Sequence, residues 1–208
     1  DADILARIAD SGTKFIHKKA LKYKDEAIPV RVINYSEGRL DAKGTLVTGA
    51  FPRELCCELA SRSEVASLTI VGRGISEEPA VIQEIVAAIE DRKVPLLGAS
   101  INYDSLIAYI PQDHLDCVLK PIHSIVLGHK AIVAMAVKQG LAFLKVKGVG
   151  LEETPGVVGR ISDPLRQNGI NIFGIFTITS SIIVFVSWND REKAMALIRD
   201  SLKVDRND

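Results

Sequence analysis

Two stretches of the chain bring glycines, carboxylates and a helix start within a few residues of one another: "TIVGRGISEEPAVIQEI" (69–85) and "KVKGVGLEETPGVVGRI" (145–161). In each, an apolar strand runs into a Gly-x-Gly pair (Gly72 and Gly74; Gly148 and Gly150), then an acidic pair, then a proline and an apolar run. A helix N-terminus presents unpaired N–H groups and a partial positive charge, which suits a carboxylate. Glycine lets the backbone approach a ligand closely. Nearby Glu77, Glu78, Glu152, Glu153 or Asn171 can meet an ammonium group. The candidate contacts are therefore Gly74, Ile75, Glu78, Val81 and Ile82 in the first stretch. In the second they are Gly150, Glu153, Gly156 and Val157, with Asn171 and Ile172 from the segment that follows. The same acids serve equally well as ordinary first-turn residues, which are favourable at a helix start without any ligand.

A dinucleotide loop is the other chemistry that uses glycines after a strand. It needs G-x-G-x-x-G and an acid about 20 residues on, at the end of the next strand. Here the third glycine, Gly156, comes too late, the first copy has Ala80 in its place, and "INIFGIFTIT" holds no acid. That reading fails.

The elements that would position these residues occur twice. Gly72 aligns with Gly148 (148 − 72 = 76), and the same offset pairs Gly74 with Gly150, Glu77 with Glu153, Pro79 with Pro155, Gly98 with Gly174, Ser105 with Ser181 and Ile107 with Ile183. One ungapped register over some forty residues marks two copies of one unit. Each copy predicts a strand (65–72; 141–148) and then a helix (79–92; 155–168) whose first turn tolerates the proline. Two β-rich segments joined by a tight turn come next. A closing helix ends each copy (112–127; 190–204), with Asn189 or Asp190 as the cap of the second. A ferredoxin-like βαββαβ unit needs one more strand, and 55–60 and 131–137 are the candidates. The fold class is α+β.

Composition excludes several functions. With 26 basic and 26 acidic residues the net charge is zero, which gives no footprint for nucleic acid and no polybasic face for a membrane. Apolar runs fall short of the ~20 residues a spanning helix needs. Cys56, Cys57 and Cys117 make a poor disulfide framework and suit a reducing cytoplasm. His17, His114, His123 and His129 lack metal-ligand spacing, so no metal site is expected. Ser180-Ser181 reads as a turn with no base beside it, and no catalytic residue is assigned.

The glycine loop, acidic turn, Pro-Gly and "NGINIFGI" (168–175) resemble the ACT domain, a small-molecule regulatory module, over residues 64–204. "TPGVVGRISDPLRQNGINIFGI" is the closer copy; the first departs with "EPAV" and "RKVPLLGA". Residues 11–48 resemble the last helix and strands of the aspartate kinase catalytic domain. Gly12, Lys14, His17, Ala20, Ile28-Pro29-Val30-Arg31-Val32, Asn34 and Gly44-Thr45-Leu46-Val47 match in order, with Thr13 and Lys18 as departures. The resemblance implies a helix over 2–26, strands near 28–34 and 44–48, and a C-terminal part of such a kinase. It divides the chain into a catalytic-domain remnant (1–50), a linker and strand closing the second unit (51–63), and ACT units at 64–137 and 138–208.

The same resemblance implies that Lys14 contacts nucleotide phosphate, and that ATP and Mg belong to the parent enzyme with no cofactor held by this chain. The family's Lys-Phe-Gly-Gly loop and aspartate site are not among these residues, so the chain alone is expected to be inactive. Lysine or threonine as effector, and a homodimer through ACT sheets, follow from the family. Lysine-sensitive relatives often carry an acid where Leu97 and Phe173 stand here, which argues against a conventional lysine site. A free-standing amino-acid sensor and a ligand-free dimerisation module remain alternatives.

Overall fold

The computed structural model describes residues 2, 4, 5, 20, 23–50, 54–148, 151, 154–178 and 181–203. Lys14 and His17 lie outside them, as do Gly150, Glu152 and Glu153. In the N-terminal part β1 (Val30–Val32) and β2 (Thr45–Val47) pair antiparallel. Ala2 and Leu5 pack on Val47, Val30 and Val32. The helix expected to reach residue 26 has ended by Tyr23. Asp25 turns the chain there, its Oδ1 accepting from the N–H groups of Ala27 and Ile28 at 2.9 and 3.1 Å. Lys24 is buried at 4% exposure and donates Nζ to the Gly49 carbonyl at 2.8 Å, so it belongs to no solvated basic cluster.

The rest is a seven-stranded antiparallel sheet with helices on one face of each half. After β3 (Cys56–Leu59), the first unit runs β4 (Val65–Gly72), α1 (Pro79–Glu90), β5 (Gly98–Ile101), β6 (Ser105–Pro111) and α2 (Leu115–Gly128). The long β7 (Ile132–Lys147) leads into α3 (Val157–Gln167), β8 (Gly174–Ile178), β9 (Ser181–Ser187) and α4 (Arg191–Lys203). The order is β5-β6-β4-β7-β9-β8, with β3 also on β7.

The strands expected at 131–137 and 141–148 are one strand. The first half of β7 pairs with β4, and its second half pairs with β9 on one side and β3 on the other. The boundary between residues 137 and 138 therefore falls inside a strand. Both halves keep the ferredoxin-like order, one closed by β7 itself and the other by β3. Gly140, at φ +69, sits at the change of partner, beside the slip in register between Val65 and Ser67. A left-handed backbone there favours glycine. Gln112 pins the spot: its Oε1 accepts from Gly140 N at 2.6 Å, and its Nε2 donates to Glu64 at 2.9 Å.

Two helix-covered cores follow from strand alternation. Ala66, Leu68 and Ile70 of β4 meet Val81, Ile85 and Ile122 on α1 and α2. Ala142, Leu144 and Val146 of β7 meet Ile161, Leu165 and Ile198 on α3 and α4. The opposite faces pack on each other. Tyr109 of β6 stacks on Phe185 of β9 with centroids 3.9 Å apart and planes 7° apart. Three strand spacings would hold these strands about 14 Å apart in a flat sheet, so the sheet folds back on itself. Val65, Leu141, Phe143 and Ile183 fill the rest of this third core. Burial pushes the Tyr109 phenol upward.

Two helix starts differ from expectation. Pro79 is the first residue of α1, whereas Pro155 lies in a turn and α3 begins only at Val157. Gly156 at φ +77 cannot continue a helix, and Ala80 can. Asn189 and Asp190 lie within a single 3-10 turn, Trp188–Asp190, that leads into α4 at Arg191.

Candidate functional site

In the second unit the turn before α3 and the hairpin between β8 and β9 face each other across a cavity of about 450 Å³. Leu151, Thr154, Gly156, Val157 and Val158 line one side; Thr177, Ile178, Ser181 and Ile182 line the other. The first intrahelical bond here runs from Arg160 N to the Gly156 carbonyl at 3.0 Å, so the N–H groups of Val157, Val158 and Gly159 come before the helix ladder. Their partial positive charge lies at the cavity's edge. Ser181 is only 6% exposed, and its hydroxyl has no hydrogen-bond partner among the described residues.

The equivalent place in the first unit is closed by its own chain. The Gly72 N–H donates to the Asp104 carbonyl at 2.9 Å, and Gly74 N–H to the Asp104 carboxylate at 3.4 Å. Ser76 N–H reaches the Tyr103 carbonyl at 3.4 Å. Asn102 Oδ1 holds that hairpin turn by accepting from Asp104 N, Ser105 N and Ser105 Oγ at 2.9–3.0 Å. Gly74 has φ +68, and a Cβ there would lie 3.3 Å from Glu77 and 3.6 Å from the Tyr103 hydroxyl.

Of the candidate contacts, Gly156 and Val157 line the cavity. Asn171 is exposed away from it, and Ile172 packs against the second core. Ile75 and Val81 are wholly buried in the first core, with Ile82 packed against it and Glu78 exposed before α1. Leu97 packs into the inter-unit core, and Phe173 lies under Lys138, whose Nζ is 4.7 Å from the ring centre. The hairpin wall went unread in the sequence. A readable signal existed: in βαββαβ topology the first strand and the second run the same way, so the turn after the second lies beside the loop after the first.

Elsewhere, burial pushes the Cys57 thiol up to about 12, with Arg199 opposing the shift weakly. Cys56 moves in the same direction for the same reason. Neither is a ready nucleophile.

Residues 136–200 match the model of the ACT domain family. The second unit is an ACT domain. An aspartate kinase of Stutzerimonas stutzeri is 22% identical over 218 residues, covering 97% of this chain and 50% of the relative. The chain thus spans about half the length of the curated relatives it matches. The aspartate kinase from Synechocystis superposes with a TM-score of 0.72 at 18% identity, over 98% of this chain and 38% of that one. The regulatory subunit of aspartate kinase from Thermus flavus superposes with a TM-score of 0.60 at 16% identity, over 73% of this chain and 98% of that one. The paired ACT fold is that of aspartate kinase regulatory regions. No helix of the described residues is long and apolar enough to cross a membrane.

Proposed function

We propose that the chain is the amino-acid-sensing part of an aspartate kinase, with its effector site in the second ACT unit. The observation that carries this is the cavity at the start of α3, where the first-turn N–H groups of the helix face the hydroxyls of Thr177 and Ser181 across an apolar lining. Lysine or threonine is the effector this reading favours, and it would act by binding two states of the parent enzyme with different affinity. ATP and Mg would serve the parent's phosphoryl transfer to aspartate, with Lys14 on the phosphates and the remaining machinery outside this chain. The reading includes a cytoplasmic setting and a homodimer. For the dimer, the first half of β7 pairs on one side only among the described residues and exposes Val133 and Val137. An open edge invites strand pairing.

Thermal unfolding against a panel of amino acids tests the sensing. An effector at 100 times its dissociation constant adds about 2.7 kcal/mol, a rise of several degrees. A panel without any shift at millimolar concentration overturns the sensing role.

A further inference from the structure

We propose that Gln112 and Gly140 form a register lock at the junction of the two units, holding one extra residue in β7 so that a single strand serves both cores. From Val65 to Ser67 β4 advances two residues, while their partners on β7, Leu141 and Lys138, are three apart (141 − 138 = 3). β7 therefore carries a bulge at Gln139–Gly140, and an inserted residue reverses the alternation of side chains beyond it. The packing shows the reversal. Before the bulge the odd-numbered Met135, opposite Ile70, packs on the first core. After it the odd-numbered Leu141 and Phe143 turn to the inter-unit core, and the even-numbered Ala142, Leu144 and Val146 enter the second core.

The strand itself does not dictate this register. Register is set by hydrophobic alternation, and residues 133–137 read Val-Ala-Met-Ala-Val, apolar on both faces. This half of β7 pairs with β4 alone among the described residues. Its far end already holds a second irregularity, between Val71 and Gly72. A one-residue slip of 134–138 would move the spare residue from one end of the segment to the other and keep most of the pairing. Two features hold it at Gly140. Gly140 is the one glycine of β7, and its φ of +69 belongs to the left-handed region that favours glycine. Gln112 Oε1 accepts from the Gly140 N–H at 2.6 Å, and Nε2 donates to the Glu64 carboxylate at 2.9 Å. The Gln112 N–H also donates to the Glu64 carbonyl at 2.9 Å. An amide side chain carries both a donor and an acceptor, so one residue ties the bulge to the chain entering β4. A cavity of about 380 Å³, lined in part by Ser63, Gln112 and Gln139, lies beside it. On that side hydrogen bonds hold the bulge, not packing.

Paired cysteines read the register. Thr69 lies opposite Ala136, and a one-residue slip would put Val137 there instead. Oxidation of the whole chain, followed by peptide mapping, is expected to join Thr69→Cys to Ala136→Cys. Thr69→Cys with Val137→Cys should stay unjoined, because successive side chains of a strand point to opposite faces. Adding Gln112→Ala should raise the second cross-link about tenfold and lower the first, as the freed segment samples the slipped register. Gln112→Glu, which keeps the acceptor but sets a carboxylate against Glu64, should fall between. Unchanged cross-linking in a folded Gln112→Ala overturns the proposal even if that variant is less stable, since a purely structural role lowers stability without moving the register. A second measurement needs no variant. In the unmodified chain the Gly140 amide should exchange its hydrogen about a hundredfold more slowly than an unstructured glycine. Exchange at the unstructured rate overturns the lock.

Discussion

The two units share one register and one fold, yet they end differently at the place where a ligand would sit. In the first, the hairpin turn Asn102–Ser105 bonds directly to the glycine loop. In the second, the described residues that flank the turn and the loop line a cavity. Few residues separate the outcomes. Ala80 lets α1 begin at Pro79, whereas Gly156 with its left-handed backbone delays α3 to Val157 and leaves Thr154 and Gly156 as cavity wall. Tyr103 and Asp104, which close the first unit, correspond to Thr179 and Ser180 in the second. A scaffold repeated by sequence therefore carries one open site and one sealed one.

The comparison extends to the face where the units meet, because that core is built from repeat-equivalent residues. Tyr109 and Phe185 are 76 positions apart (185 − 109 = 76) and stack; Val65 and Leu141 share that spacing and pair directly across β4 and β7. The largest effect is expected here. Tyr109→Ala should cost about 3–5 kcal/mol, as large-to-small changes of buried aromatics do, measured by urea unfolding. Gly174→Ala breaks the symmetry more selectively. A Cβ there would lie 2.7 Å from the Tyr109 hydroxyl and 3.3 Å from Phe185, whereas at the equivalent Gly98 the nearest atom is 3.9 Å away. Overpacking should cost about 1–3 kcal/mol at Gly174, against changes within about 0.5 kcal/mol at Gly98. Equal costs would show that the units do not lean on each other through this ring pair.

Exchanging the residues at the two helix starts gives the next effect. Gly156→Ala forces a side chain into the left-handed region at a cost of about 1–2 kcal/mol. Ala80→Gly loosens the first turn of α1 by about 1 kcal/mol. Urea unfolding reads both, and an amino-acid titration adds a sharper contrast. Only the first substitution should weaken effector binding, because Gly156 lines the cavity and Ala80 lies in the sealed unit.

The smallest expected effect is on pH dependence. Cys57 is buried in the second unit, and its thiol is raised from 9.0 to about 12. Above pH 9 the unfolded chain loses this proton while the folded chain keeps it. The unfolded state then binds fewer protons, and stability falls as pH rises from 9 towards 12. Subtracting the same unfolding series for Cys57→Ala isolates this loss, and identical curves would contradict it. In the folded protein the exposed Cys117 on α2 should react with a thiol reagent, and Cys57 only after unfolding.

Much of the fold was legible because it depends on local periodicity and on the repeat. Alternation in 65–72 and helical spacing in 79–90 set which faces are buried, and the constant offset reproduced every strand and helix pair of the two units. The glycines and Pro79 announced loops and a helix start through their own backbone limits. Other features depended on neighbours that only the folded chain supplies. The sequence could not show that 131–137 and 141–147 form one strand, since a strand continues or stops according to its partners on either side. It could not show that Ile75 and Val81 turn into the core while Ser181 lines a cavity, because burial is a property of packing. Nor could it show that Tyr103 and Asp104 seal one glycine loop, since that contact closes between chain segments about thirty residues apart (104 − 74 = 30) and exists only once the sheet has set them side by side.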